Sequence, residues 1–135
     1  MQICDAAASI CSVSLVHAPP PQLLVTCRHT RAAAGSVDES VKLWGETSER
    51  LESKHTYTGH TLGVVSVSVE ATGTYAASSA LDSFIRVWNL KDSSTKAIIE
   101  TQPSETWQIT FAPPGDRLQI AAAGAAADPL RHCTA

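Results

Sequence analysis

The chain has 135 residues and a mass of 14.3 kDa, enough for one domain with a modest core and too little for a two-domain enzyme. Hydrophobic residues make up 44 %, yet 20 of them are alanine, so the larger side chains that fill a core are scarce. A net charge of −3 with 17 % charged residues excludes a basic nucleic-acid binder and a long acidic disordered chain alike.

Met1 to Ser9 is expected to pack poorly, because alanine buries little apolar area per residue. The uncharged stretch Ala6 to Cys27 contains His17, Pro19, Pro20 and Pro21, which excludes a spanning helix. No basic segment precedes Ile3 to Leu15 to make a secretory leader, so the chain is read as intracellular, with no membrane partner. Cys4, Cys11, Cys27 and Cys133 form no CxxC pair and give neither a disulfide framework nor a zinc site. His29 near Cys27 and His132 beside Cys133 are accidental neighbours, and no metal or cofactor is expected.

Ile10 to His17 reads as a degraded first strand, with Ala18 to Pro21 as its turn and Gln22 to Thr26 as the next strand. Cys27 to Ala34, in which Arg28, His29 and Arg31 precede three alanines, reads as an insertion forming a solvated loop. Gly35 to Trp44 resumes the pattern with a turn at Asp38. Glu46 to Lys54 is a charged loop entering a strand near Lys54 to Thr58. Val65, Val67 and Val69 alternate with serines at the period of two that a pleated strand imposes. Turns follow at Glu70 to Thr74, Leu81 to Ser83 and Asn89 to Ser94, with strands between them and a fourth strand over Thr95 to Glu100. Trp107 to Phe111 is a further strand, Ala112 to Asp116 its turn, and the pattern stops at Gly124. Ala125 to Ala135 has no aspartate turn or closing tryptophan and is expected to be a disordered tail.

An internal repeat organises these elements. Gly35 to Trp44 aligns with Ser79 to Trp88, with Asp38 and Asp82, and again Trp44 and Trp88, 44 residues apart. Val65 to Gly73 aligns with Trp107 to Gly115, 42 residues apart, the small difference being loop variation. A period of about 40 to 45 residues with four antiparallel strands per unit describes a propeller blade.

Gly59-His60 ahead of the first strand, Asp82 in the turn between the second and third strands, and Trp88-Asn89 at the end of the third resemble the WD-repeat family. Asn89 and Gly45 stand where that family usually has aspartate, and Pro103 lies near the next expected histidine. Residues 35 to 124 are similar to the WD-repeat subunit shared by the RNA polymerase II-associated factor complex and the superkiller RNA-decay complex, in its plant, vernalization independence form. The implied fold is all-β: a partial propeller over residues 10 to 124, of about two to three four-stranded antiparallel blades, not a closed ring. The seven-bladed ring of that family needs more than twice this length, so the chain is expected to be a fragment, a truncated product or a partial gene model.

The resemblance also implies a structural hydrogen-bond network of His60, Ser78, Asp82 and Trp88, with Asp38 and Trp44 at matching places in the preceding unit alongside Thr26. No Gly-x-Ser-x-Gly elbow accompanies His60 and Asp82, so a triad is not expected and the chain is read as a non-enzyme. Lys42 and Arg86 recur at equivalent positions and read as cations on outer strand faces rather than a nucleic-acid stripe. The implied function is a protein-interaction scaffold that binds subunits of a multiprotein complex in transcription elongation, histone modification or exosome-linked RNA decay. It would be nuclear or also cytoplasmic, without direct nucleic-acid contact or a small-molecule substrate. The alternatives are a truncated, poorly folding product with no independent function and a propeller-like hydrolase or small-molecule binder. If His60 meets Asp82, then Leu62, Leu81 and Trp107 gather at one end of the blade as a candidate protein-binding rim. Trp107 aligns with Val65, so packing between blades is its competing reading.

Overall fold

The computed structural model describes residues 11–13, 24–28, 31–46, 51–101, 106–113, 117–124 and 130–134. Twelve strands occur among them, every pairing antiparallel and between sequence neighbours. The first sheet orders β1 (Cys11–Val13), β2 (Leu24–Arg28), β3 (Arg31–Gly35), β4 (Val41–Glu46) and β5 (Leu51–Tyr57) side by side. The second holds β6 (Val64–Val69), β7 (Tyr75–Ala80), β8 (Phe84–Asn89) and β9 (Thr95–Glu100). The third holds β10 (Thr106–Phe111), β11 (Gln119–Gly124) and β12 (Leu130–Thr134). These are three successive blades of an open propeller, without ring closure. The expected Met1 to Ser9 segment lies outside the described residues, as does most of Ile10 to His17.

Each blade is a meander because its turns are short and chemically suited. Gly73 takes φ +68° in the turn joining β6 to β7, a conformation that costs a β-carbon residue strain. Asp82 accepts the N–H of Phe84 at 3.0 Å and Asp38 that of Ser40 at 3.1 Å, so both aspartates cap the turn into the third strand of their blades. Asp92 does the same for Ser94 at 3.0 Å before β9.

Two apolar layers join the blades. Ala33, Val41, Leu43 and Tyr57 meet Val64, Val67, Val69 and Trp88 in one buried cluster. Ile85 and Val87 meet Ile109 and Ile120 in the other, with Tyr75, Ala97 and Phe111 packed against it. Full burial of an aliphatic side chain of this size contributes roughly 1.5–3 kcal/mol, so these layers supply most of the cohesion between sheets. The first blade approaches closely at Gly35, where a β-carbon would lie 2.5 Å from Val64 Cγ1 and 2.6 Å from Val67 Cγ2. Between the second and third blades, Ser66 Oγ accepts the N–H of Ile109 (3.1 Å) and Ser68 Oγ that of Phe111 (3.3 Å).

Three readings of the sequence are corrected by this arrangement. The segment read as an insertion, Cys27 to Ala34, holds the end of β2 and most of β3, and Ala32, Ala33 and Ala34 are buried. β3 is the second strand of the first blade: the 44-residue offset places Arg31–Gly35 on Tyr75–Ser79, where Ala76 and Ala77 are equally buried. Alanine has little strand propensity of its own, but it is small enough for a sheet covered on both faces. Likewise Leu130–Thr134 is no disordered tail: it pairs with β11, from Ala123 opposite Leu130 to Gln119 opposite Thr134. The intervening residues 125–129 lie outside the described set. Finally, β5 starts at Leu51, earlier than the strand expected near Lys54, pairing with β4 from Glu46 opposite Leu51.

Candidate functional site

The second blade brings four side chains of the expected network together at one end. Gly59, at φ +145°, lets the chain turn into the loop before β6, and Arg86 lies across it, with Cζ 3.3 Å from where a β-carbon would sit. His60 is thereby inserted below the surface. Its Nδ1 is 3.0 Å from Asp82 Oδ2, and its Nε2 is 2.8 Å from Ser78 Oγ. Trp88 Nε1–H donates to the same Ser78 oxygen at 2.9 Å. The carboxylate can only accept, so Nδ1 carries the proton; with the His60 pKa held below 6.5 by burial, Nε2 is bare at neutral pH and accepts from the Ser78 hydroxyl. The ring is therefore neutral. It also meets Trp88 edge to face, with centroids 6.3 Å apart.

The electrostatics agree with that assignment. Burial holds the His60 pKa below its ordinary value of 6.5 and the Arg86 charge acts the same way, against the opposing pull of Asp82. Burial works to raise the Asp82 carboxyl, but the N–H groups of Thr61, His60 and Phe84 outweigh it and hold the acid below its ordinary 3.8. Every oxygen of Asp82 is thus engaged in joining the loop before β6 to the turn before β8. Ser78, His60 and Asp82 stand in the order of a hydrolytic triad, but Ser78 is fully buried and its oxygen is engaged by the Trp88 indole, so the arrangement ties strands together and leaves no room for a substrate at the hydroxyl.

The first blade keeps only part of the pattern. Asp38 is exposed, and its carboxylate is occupied by Ser40, whose hydroxyl lies at 2.5 Å and holds the acid below its ordinary pKa. Ala34 stands at the place of Ser78, so the second strand of this blade offers Trp44 no hydroxyl there; the side chain of Thr26 lies outside the described residues. Among the described residues, the segment misread as an insertion supplies the second strand of this blade and puts an alanine where the second blade has the serine that joins its network.

Above the network lies an apolar rim. Leu81 N–H donates to Gly63 O at 3.1 Å and Thr61 N–H to Asp82 Oδ2 at 3.0 Å, which sets Leu62 beside Leu81. Ser79 Oγ donates to Thr106 O at 3.4 Å, bringing the start of β10 to the same end. Leu62, Leu81 and Trp107 are 49 %, 46 % and 55 % exposed, and what marks them is that all three lie at this one end. Among the described residues Trp107 is not buried between blades. The β10–β11 register slips between Thr106 and Gln108, making Trp107 the extra residue of a β-bulge, as Val65 is in β6, and the bulge turns it outward.

The sequence reading missed Val37, which is 56 % exposed. Its Cα lies 3.3 Å from the position a Gly63 β-carbon would take, so it extends the rim onto the first blade. The signal was present: Val37 precedes Asp38 as Leu81 precedes Asp82. At the opposite end, Glu70, Tyr75, Ala112, Pro113, Arg117 and Gln119 help line a cavity of about 240 Å³, where the Glu70 carboxylate is engaged by the Thr72 hydroxyl. Among the described residues no cluster of three His, Cys, Asp or Glu side chains could hold a metal ion.

Comparison with known proteins agrees with this geometry. The family model "WD domain, G-beta repeat" matches residues 51–89. Over 106 residues the chain is 41 % identical to the WD repeat-containing protein VIP3 of Arabidopsis thaliana, covering 78 % of this chain and 30 % of that protein. Over 79 residues it is 40 % identical to the WD repeat-containing protein SL1-17 of Schistosoma mansoni, covering 58 % of this chain and 26 % of that one. Its fold matches the crystal structure of the Myceliophteria thermophila Cps50 (Swd1) β-propeller domain with a TM-score of 0.63 and 20 % identity, over 78 % of this chain and 34 % of that one. The chain therefore spans about a third or less of the length of the relatives it matches.

Proposed function

Because this chain is built of WD-repeat blades, we propose that it is a non-catalytic scaffold element that docks protein subunits of a multiprotein complex on the rim of Leu62, Leu81 and Trp107. One observation carries the reading: three large apolar side chains stand exposed at the same end of two neighbouring blades, Leu62 and Leu81 beside the buried contact of His60 with Asp82. Apolar and aromatic anchors over a rigid base lose little entropy when a partner covers them, the usual condition of a binding hot spot.

The similarity to VIP3 and the resemblance to the WD-repeat subunit shared by the RNA polymerase II-associated factor and superkiller complexes support a finer reading. In it, the chain serves complexes acting in transcription elongation, histone modification or exosome-linked RNA decay, in the nucleus or also the cytoplasm. The partner would be protein, contacted without nucleic acid between them.

The test is capture of purified subunits of these two complexes by the full chain and by a variant carrying Leu62→Glu with Leu81→Glu. Loss of capture at an unchanged thermal midpoint supports docking on the rim. Equal capture by both chains removes the rim from the interface, and failure of the unaltered chain to retain any subunit overturns the assignment to these complexes.

A further inference from the structure

The outer edge of the second blade carries a pattern that neither the network nor the rim uses. β9 ends its sheet, paired with β8 on one side only. Ala97 and Ile99 turn toward the layer shared with the third blade, whereas Ile98 is 54 % exposed on the other face. Lys96 stands two residues before Ile98 and Glu100 two residues after it, both exposed. The edge strand of the first blade is different: Ser53 to Thr56 is polar throughout, and its Lys54 is already paired with Glu52 at 3.4 Å.

Backbone direction at this edge is also determined. Thr101 N–H donates to Ser83 O at 2.8 Å, so Thr101 and, two residues earlier, Ile99 direct their backbone groups at β8. Ile98 and Glu100 consequently direct theirs to the open side. The β8–β9 register slips between Val87 and Trp88, with Ala97 opposite Val87 and Thr95 opposite Trp88. Lys96 is the extra residue of that bulge and has no residue facing it on β8.

We propose that β9 is a homotypic pairing edge, on which a second copy of this chain adds its own β9 in antiparallel orientation about a two-fold axis at Ile98. The charge pattern selects this occupant. A two-fold axis at Ile98 sets Ile98 against Ile98 of the second copy, and each Lys96 against the other chain's Glu100. Both ionic pairs are then of opposite sign, and the apolar residue between them is covered. Directly opposed cross-strand pairs of this kind stabilise a sheet, whereas like charges there oppose pairing. The axis also places the outward backbone groups of the two Ile98 residues in mutual register, as an isologous interface requires. Natural edges avoid such pairing with lysines, inward-pointing charges and bulges; here the bulge and Lys96 stand at one end of the strand only, and charges of opposite sign flank an exposed isoleucine. The edge is distinct from the apolar rim, so the two sites can be tested separately.

The test is sedimentation velocity of the full chain across a concentration series, with single and double charge reversal. The unaltered chain should show a monomer–dimer equilibrium. Lys96→Glu or Glu100→Lys sets like charges opposite each other twice per dimer and should weaken it by about tenfold. The double variant K96E/E100K restores opposite signs and should recover the dimer. In addition, Ile98→Cys should give a dimer linked through position 98 under mild oxidation with oxidised glutathione, located by peptide mass mapping. A monomer throughout the series overturns the proposal. So does a dimer indifferent to the single reversals, or one that the double variant fails to recover. Leu62→Glu with Leu81→Glu should leave the dimer intact; its loss there would place the contact on the rim instead.

Discussion

Ser66 Oγ accepts the backbone N–H of Ile109 at 3.1 Å, across the boundary between the second and third blades. Inner strands of neighbouring blades share no ladder, so a side chain on one must satisfy a buried donor on the other. Ser66→Ala should leave the Ile109 amide unpaired, at a cost of about 1–3 kcal/mol. Adding Ser68→Ala should extend the loss to Phe111. Amide hydrogen exchange at Ile109 reads this directly, and an unaccelerated rate there would deny the serine its bridging role.

Removing the Asp82 carboxylate should destabilise the second blade. Asp82→Ala orphans His60 Nδ1–H and the N–H groups of Thr61 and Phe84, with an expected loss of about 1–3 kcal/mol. Asp38→Ala, whose carboxylate is exposed and, among the described residues, bonded within its own turn, should cost much less. Urea midpoints of the two variants compare them; equal midpoints would contradict the network's role.

Acid should weaken the fold through the same two groups. His60 has a folded pKa below the ordinary 6.5, so as pH falls past that value the unfolded chain binds the extra proton first. Its contribution is complete above the unfolded pKa and declines below it. Asp82, held below 3.8, adds stability above that value, which is lost as pH falls through its folded pKa. Urea midpoints measured from about pH 8 down to about pH 4 should therefore decrease, and His60→Gln should flatten the upper part of the slope. A midpoint that rises on acidification would contradict the neutral ring.

Close approach at Gly35 makes a steric prediction. Gly35→Ala puts a β-carbon against Val64 and Val67, both buried and β-branched, and should cost about 1–3 kcal/mol by overpacking. Val64→Ala in the same chain removes one of the two obstacles and should recover part of the loss. If Gly35→Ala alone melts with the unaltered chain, the blades do not meet as closely as described.

Much of the second blade was legible before its structure. Val65, Val67 and Val69 alternate with serine, Gly73 marks a turn, and the Gly59-His60, Asp82 and Trp88 spacing belongs to one repeat. β3 was not legible, because Ala32, Ala33 and Ala34 carry no strand signal of their own; their burial depends on neighbours on both faces. Val37 escaped notice for a related reason, since an exposed valine in a turn is ordinary until Gly63 of the next blade comes to lie against it.

The sequence by itself determined the period of the blades, the chemistry of their turns and the residue types of the His60, Ser78, Asp82 and Trp88 network. These depend on local alternation and fixed spacing, which a linear chain records. Tertiary structure alone decided that an alanine run is a core strand, that Leu130–Thr134 pairs with β11, and that a bulge turns Trp107 out. It also decided that Ile98 stands on an unpaired edge between opposite charges. Each of these outcomes depends on register or on a residue brought close by the fold, and the physical reason is the same: burial and pairing are set by what lies opposite, which a strand's own sequence does not specify.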